Sequence, residues 1–222
     1  NAVGQGYLGG LSPLDDAGGP GRGAGRGGGG YGGHGGMHSY PRGCPYGSLR
    51  EPCDPGSGGN TTYSGGWMGG NGGGLIRVFA EEAILLNGQL LADGGAASAF
   101  AGGGSGGGVT LVCKTLSGTG GRVSANGGIS ATIHPGLNGG GGGGGRIAVR
   151  YDTAAQAWIP NIVFSAAGAF GADSYGEAGT LWFPDNRFLT ETVRHSGQWL
   201  VDGFTSWELS SLTVTGAWFR LP

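Results

Sequence analysis

The chain of 222 residues contains 58 glycines, whereas charged residues make up only 12 % and the formal net charge is −2. Basic residues are few and scattered, which argues against a nucleic-acid partner, and no apolar run of 18 residues predicts a membrane-spanning helix. Low charge together with 9 % aromatic residues is not typical of a disordered polymer, and a net charge near zero favours association between copies.

Glycine dominates residues 1–74, without the strict Gly-X-Y period of collagen. This segment is either a flexible linker or a set of packed, extended polyglycine-type segments. The second interpretation is favoured because interspersed aromatic residues give the segment something to bury. They are Tyr31, Tyr40, Tyr46, Tyr63 and Trp67.

A repeat predicts stacked strands over residues 75–183. Four apolar segments each follow glycine and begin near Leu75, Val109, Arg146 and Thr180. A second apolar segment, closed by small residues, recurs within the units as GQLLADGG, GRVSANGG and IVFSAAGA. One unit alone cannot bury its apolar face, so stacking of units is expected.

These patterns predict an all-β, glycine-rich β-solenoid or β-helix-like single domain with a C-terminal β-strand segment and essentially no helix. The stretch VFAEEAILLNGQLL has helix-forming composition, but Asn87-Gly88 is a hairpin signal that divides it, and the repeat favours strands there.

The C-terminal segment, residues 184–222, is poor in glycine and predicts three further strands. Its last strand could pair with another chain or close its own sheet. The residues expected to take part in assembly are Leu212, Val214, Trp218, Phe219 and Leu221. If this strand is exchanged between copies, deletion of residues 209–222 is expected to leave soluble monomers.

Several segments together resemble the glycine-rich repeat regions of large secreted and cell-surface proteins of bacteria and some protists. The matching pieces are Asn87–Gly95, Leu116–Gly128, Gly139–Tyr151 and, upstream, Tyr46–Gly59, within residues 18–183. The resemblance implies an extracellular, β-helical protein with an adhesive or matrix role. The chain is short for that family, and it starts at Asn1 rather than at Met, so we expect a processed or excised piece of a secreted protein.

Cys44 and Cys53 flank a short proline-containing loop and predict a local disulfide, with two unrelated thiols as the alternative. Cys113 lies in an apolar strand and is expected to be a buried, inert thiol. Asn60 begins an Asn-Thr-Thr sequon in what reads as an exposed loop, and is therefore a glycosylation candidate.

No residue pattern indicates catalysis, a cofactor or a firm metal site. His34 and His38 could join the two cysteines of the loop in a zinc site, although exposed histidines are the simpler interpretation. Carboxylates near successive corners of the repeat could bind calcium or form a polysaccharide-cleaving site, but solvated carboxylates are expected by default. These are Asp93, Asp152 and Asp173.

The sequence therefore predicts a non-enzymatic, extracellular structural protein that assembles with copies of itself into a filament, sheath or matrix. The alternative is a cell-surface adhesin or carbohydrate-binding module that uses the exposed aromatic residues of the glycine-rich segment. A polysaccharide-acting enzyme is the weakest of the three hypotheses.

Overall fold

A computed structural model describes residues 1–11, 16–37, 41–62, 66–131, 139–172, 174–189, 192–193, 195–202, 207–208, 210–215 and 217–219. Within these ranges the chain forms thirteen short strands and no helix, so the stretch that could have been helical is extended. No helix in this part of the chain could therefore span a membrane.

The thirteen strands are numbered in chain order. They are β1 (Leu75–Phe79), β2 (Ala83–Leu85), β3 (Gln89–Leu91), β4 (Gly108–Val112), β5 (Thr115–Ser117), β6 (Thr119–Ser124), β7 (Arg146–Arg150), β8 (Asn161–Ser165), β9 (Thr180–Phe183), β10 (Thr192–Val193), β11 (Gly197–Val201), β12 (Thr213–Val214) and β13 (Ala217–Phe219).

The strands form four parallel sheets. The largest has the order β1-β4-β7-β9-β11-β13, and the second has the order β3-β6-β8. Two pairs, β2-β5 and β10-β12, complete the set. Each glycine-preceded strand thus pairs with the equivalent strand of the next repeat, as the repeat predicted. In the observed register Leu75, Gly108, Arg146 and Thr180 lie opposite one another, so the second segment begins one residue before Val109.

The apolar core lies between the six-stranded and the three-stranded sheet. Alternate residues of the large sheet, such as Leu111 and Phe183, point inward, and Val123 and Phe164 point toward them from the smaller sheet. The ring of Phe164 meets that of Phe183 edge-on, with the ring centroids 5.2 Å apart. The alternation of apolar residues in these strands is what places one face of each sheet against the other.

The glycine runs form a second region, which we call the glycine layer. Its segments are extended but lie outside the sheets. They are residues 4–10, 17–23, 27–36, 55–60, 69–74, 92–97, 101–107, 125–130, 139–145, 166–171 and 174–179.

Segment 101–107 shows how the layer is built. The N–H groups of Gly102, Gly103 and Gly104 donate to carbonyls of three different segments, 55–60, 139–145 and 92–97. The next three N–H groups donate to the same three segments in the same order. A hydrogen-bond pattern that repeats every three residues, with negative φ throughout this segment, is the geometry of a left-handed polyproline II helix.

The carbonyls of the same three glycines accept hydrogen bonds from three further segments, 69–74, 27–36 and 125–130. Segment 101–107 therefore bonds to six neighbours, whereas a β-strand bonds to two. Such close packing leaves no room for a side chain: a Cβ built on Gly103 would lie 1.9 Å from the carbonyl oxygen of Gly128. Hydrogen bonds in three directions satisfy nearly every peptide group of the buried segment.

The predicted β-solenoid fold is wrong. Strands make up 28 % of the residues, and the sheets do not close into a barrel or a solenoid, so that most of the described chain lies outside regular strands. Within residues 75–183 the prediction treated the glycine runs as loops that connect strands. Their backbones instead bond to neighbours on all sides, which takes them out of any sheet and makes them a packed region in their own right.

Residues 44–54 cross the outer face of the six-stranded sheet, and we call them the strap. Hydrogen bonds from the sheet hold it: Thr110 Oγ1 donates to the carbonyl of Pro52 at 3.0 Å, and Arg146 Nε donates to that of Tyr46 at 2.8 Å. The Arg146 guanidinium is buried and lies 5.4 Å from the ring centre of Tyr31. Burial lowers the pKa of Arg146 and raises that of Tyr31.

Candidate assembly surface

Three of the sheets have a strand of the first repeat unit at one edge. These strands are β1, β2 and β3, and each is the outermost strand of its sheet. One end of the molecule therefore carries three sheet edges side by side. Large apolar side chains are exposed there, with Phe79 60 % and Leu85 69 % accessible. We call this end the β1 end.

Hydrogen bonds at both ends of β1 show which of its backbone groups are free. The N–H of Ala80 donates to Val112, and the carbonyl of Gly74 accepts from the N–H of Gly108, so these two groups face β4. In a parallel strand the N–H and C=O of one residue point to the same side, and successive residues alternate. The backbone groups of Leu75, Arg77 and Phe79 consequently point away from the sheet.

The edge of β1 has little of the protection that exposed edges usually have. It contains no proline. Its one charged residue, Arg77, forms an ion pair with Glu51 of the strap, with 3.6 Å between the nitrogen and oxygen atoms. The guanidinium also lies over the ring of Phe79, 5.0 Å from its centre. Edge strands without charges, proline or bulges readily pair with another chain.

At the opposite end the six-stranded sheet terminates in β13, which pairs with β11 on one side only. Two of the residues predicted for assembly, Leu212 and Val214, are exposed near this edge, at 49 % and 40 %. Trp218 and Phe219 lie in β13 itself, opposite Gln198 and Trp199 of β11. Leu221 is outside the described residues. Within the described residues β13 pairs with β11 of its own sheet and has one edge without a partner strand, so pairing with another chain stays a prediction.

Cys44 and Cys53 are free and exposed thiols at the two ends of the strap. The predicted disulfide between them is therefore not formed in this structure. Cys113 is buried directly after β4, as expected, and burial raises its thiol pKa.

Asn60 is not the exposed residue that the sequon interpretation needed. It is only 5 % accessible, its N–H donates to Gly27, and its carbonyl accepts from Gly102. The side-chain oxygen accepts from the N–H of Thr61 at 2.8 Å. A glycan on Asn60 would require the glycine layer to open, so this residue is a packing residue in the folded chain.

The residues considered for metal binding are engaged separately. Asp93 accepts hydrogen bonds from Ser124 Oγ and from the N–H of Asn126, both at 2.7 Å, whereas Asp152 caps a turn by accepting from Ala154. Asp173 and His38 lie outside the described residues. Among the residues that are described, no three His, Cys, Asp or Glu side chains lie close enough together to hold a metal ion.

The aromatic residues of the glycine-rich segment do not form an exposed platform. Tyr31 is fully buried, and Tyr46 packs against it with ring centroids 4.7 Å apart. Trp67 packs edge-on against Phe100. Tyr40 and Tyr63 are outside the described residues. Among the large hydrophobic residues that the structure describes, the most exposed is instead Trp158, at 82 %, in the segment before β8.

Trp158 borders a groove of about 580 Å³ that the sequence did not point to. Its lining combines Trp158 and Ile159 with polar residues, including Ser117, Thr119 and Asn161. The signal in the sequence was a Trp-Ile-Pro tripeptide in a connection between strands. Large apolar residues in such a connection indicate either a buried anchor or a binding surface, and here the tryptophan is not buried.

Comparisons with protein-family models, with curated proteins and with solved structures gave no match for this chain. The resemblance to glycine-rich repeat regions of secreted proteins therefore stays a prediction. Function has to be argued from the surface itself.

Proposed function

We propose that this chain is an extracellular structural protein, the subunit of a self-assembling filament, sheath or matrix. The observation that carries the proposal is that β1, β2 and β3 are the outermost strands of three parallel sheets at the β1 end, next to the exposed apolar residues Phe79 and Leu85. The extracellular location rests on the resemblance to secreted repeat regions alone.

Two properties of the chain support a structural role. The net charge of −2 gives copies little reason to repel one another. In addition, several polar side chains hold the fold: Asp93 and Asp152 accept hydrogen bonds from neighbouring residues, and Arg146 anchors the strap.

Sedimentation velocity over a hundredfold range of protein concentration, about 1 to 100 μM, tests the proposal. We expect large species above a threshold concentration, and we expect 0.5 M NaCl to leave them intact because apolar contacts and backbone hydrogen bonds are little screened by salt. A monomer at every concentration would contradict the proposal.

The groove beside Trp158 favours carbohydrate binding as a second candidate function. An exposed indole can stack on the apolar face of a sugar ring, while hydroxyl and amide groups such as those of Ser117 and Asn161 can bind its hydroxyls. Calorimetric titration with soluble glycans, comparing the native chain with Trp158→Ala, tests this candidate. Saturable heat that the variant loses would support it, and equal heat from both would exclude the groove.

A further inference from the structure

We infer that copies of this chain join end to end through a stepped joint, in which β13 of one copy adds in parallel to β1 of the next. The inference rests on the proposed self-assembly and specifies its interface. At the β1 end the glycine layer extends further than the sheets, and at the opposite end the six-stranded sheet extends further than the glycine layer.

At the β1 end the glycine layer extends further than the sheets. Residues 2–10 lie outside the first unit: Ala2 donates to Leu91 at the free edge of β3, and Gly6 donates to Gly72 in the segment that precedes β1. Segment 69–74 bonds to 101–107 on its other side. Residues 2–10 thus add one further row of glycine layer, which reaches the start of β1, where the N–H of Gly74 donates to the carbonyl of Ala2, and makes no backbone hydrogen bond to Leu75, Arg77 or Phe79.

At the opposite end the six-stranded sheet extends further than the glycine layer. The strands β11 and β13 extend the six-stranded sheet beyond β9, but the chain before β11 contains no glycine run, and β11 begins at Gly197, where φ is +154°. A Cβ at this position would lie 2.8 Å from Leu181 Cγ. Among the described residues, no glycine segment accompanies β11 or β13.

The two steps are complementary. The protruding strands of one copy would lie over the recessed β1 edge of the next copy, and the protruding glycine row would fill the space beside them. All pairings within the six-stranded sheet are parallel, so adding β13 to β1 continues the sheet in the same direction. A contact between two different surfaces gives a polar filament when the rotation between successive copies does not close into a ring.

The substitution Arg77→Pro tests the joint directly. The N–H of Arg77 points away from β4, so Arg77→Pro removes no hydrogen bond within the chain but places a ring where the incoming strand must pair. Arg77→Thr is the matched control, because it also removes the ion pair with Glu51 yet keeps the N–H.

We expect Arg77→Pro to raise the threshold concentration for assembly at least about tenfold. Arg77→Thr should assemble nearly like the native chain. Arg77→Pro still carries an intact β13 end, so a small amount of it should shorten filaments of the native protein by blocking further growth. Circular dichroism and thermal unfolding establish that both variants are folded.

Amide hydrogen exchange of the native chain gives a second test that needs no variant. On assembly the amides of Leu75, Arg77 and Phe79 should become protected, whereas those of exposed residues outside the joint, such as Trp158 and Ile159, should keep exchanging. If the native chain assembles but these three amides exchange as fast as in the monomer, or if folded Arg77→Pro assembles normally, the joint is wrong and self-assembly stands. If the native chain never assembles, both proposals fail.

Discussion

The side-chain amide of Gln156 pairs with the main chain of Leu116 in the way a neighbouring strand would. Its Oε1 accepts from the N–H of Leu116 at 2.7 Å, and its Nε2 donates to the carbonyl of the same residue at 2.8 Å. Gln156 thereby ends the β2-β5 sheet at β5, while the β2 edge stays open. This difference between the two edges is one source of the polarity of the molecule.

Gln156→Ala is expected to destabilise the chain by about 3 kcal/mol, because two buried backbone groups of Leu116 lose their partners. Gln156→Glu can still accept from the N–H, but its carboxylate faces the carbonyls of Leu116 and Trp158. We therefore expect the Glu variant to be destabilised at pH 7 and to recover at acidic pH relative to the Ala variant. Urea unfolding measures both, and a Glu variant as stable as the native chain at pH 7 would contradict this account.

The packing of the glycine layer predicts that glycine-to-alanine substitutions are disruptive where the added methyl group meets neighbouring backbone. They should be tolerated where it meets nothing. At Gly103 an added Cβ meets a backbone oxygen at 1.9 Å, and at Gly88 it meets nothing within 4 Å. Gly103→Ala should lower the free energy of unfolding by about 3 kcal/mol or more, whereas Gly88→Ala should change it by less than about 1 kcal/mol. Equal effects of the two substitutions in chemical denaturation would show that the layer is not packed as described.

His195 makes stability depend on pH. Its Nδ1 accepts from the N–H of Phe164 at 3.1 Å, and its ring packs against Phe164 and Trp199. Burial lowers the pKa of His195 to about 4, so the folded chain keeps it neutral where the unfolded chain, with a pKa near 6.5, takes up a proton. The contribution of neutral His195 to the free energy of unfolding is full above about pH 6.5. It falls as the pH drops to about 4, by about 3 kcal/mol in total.

The variant His195→Asn isolates this effect, since the Asn oxygen can accept from the Phe164 N–H and does not titrate. The difference in unfolding free energy between the native chain and the variant should shrink between pH 6.5 and pH 4. A difference that is constant over this range would show that His195 is not held neutral.

The thiols give a direct test of the strap. In the folded, unreduced protein a thiol reagent should modify two groups rapidly, Cys44 and Cys53, and the third, Cys113, only after unfolding. The serine variants of each cysteine assign the signals. If the native protein shows no rapidly reacting thiol, Cys44 and Cys53 are joined in a disulfide as their spacing in the sequence predicted.

Strand positions could be predicted because they depend on local patterns. Apolar alternation in segments such as Arg146–Arg150 and Thr180–Phe183 is visible in the sequence, and the repeat aligns the strands that pair. The burial of Asn60 could not be read in the same way, since this residue is surrounded by segments distant in sequence and bonds to Gly27 and Gly102.

The hydrogen bonding of a glycine segment to neighbours in three directions could also not be predicted from the sequence. A run such as Gly139–Gly145 has no side chains whose alternation or spacing could show which segments surround it. Composition indicated that glycine runs pack closely, but it did not separate loops of a solenoid from helices with six neighbours. The same reason explains why the stepped ends were not foreseen, since they depend on where the layer stops relative to β1 and β13.

Electron microscopy of the purified native chain, negatively stained at neutral pH, is the most direct test of end-to-end assembly. The account predicts uniform, polar filaments with a regular axial repeat of one subunit, shortened when a small amount of Arg77→Pro is added. Discrete single particles at all concentrations would contradict it.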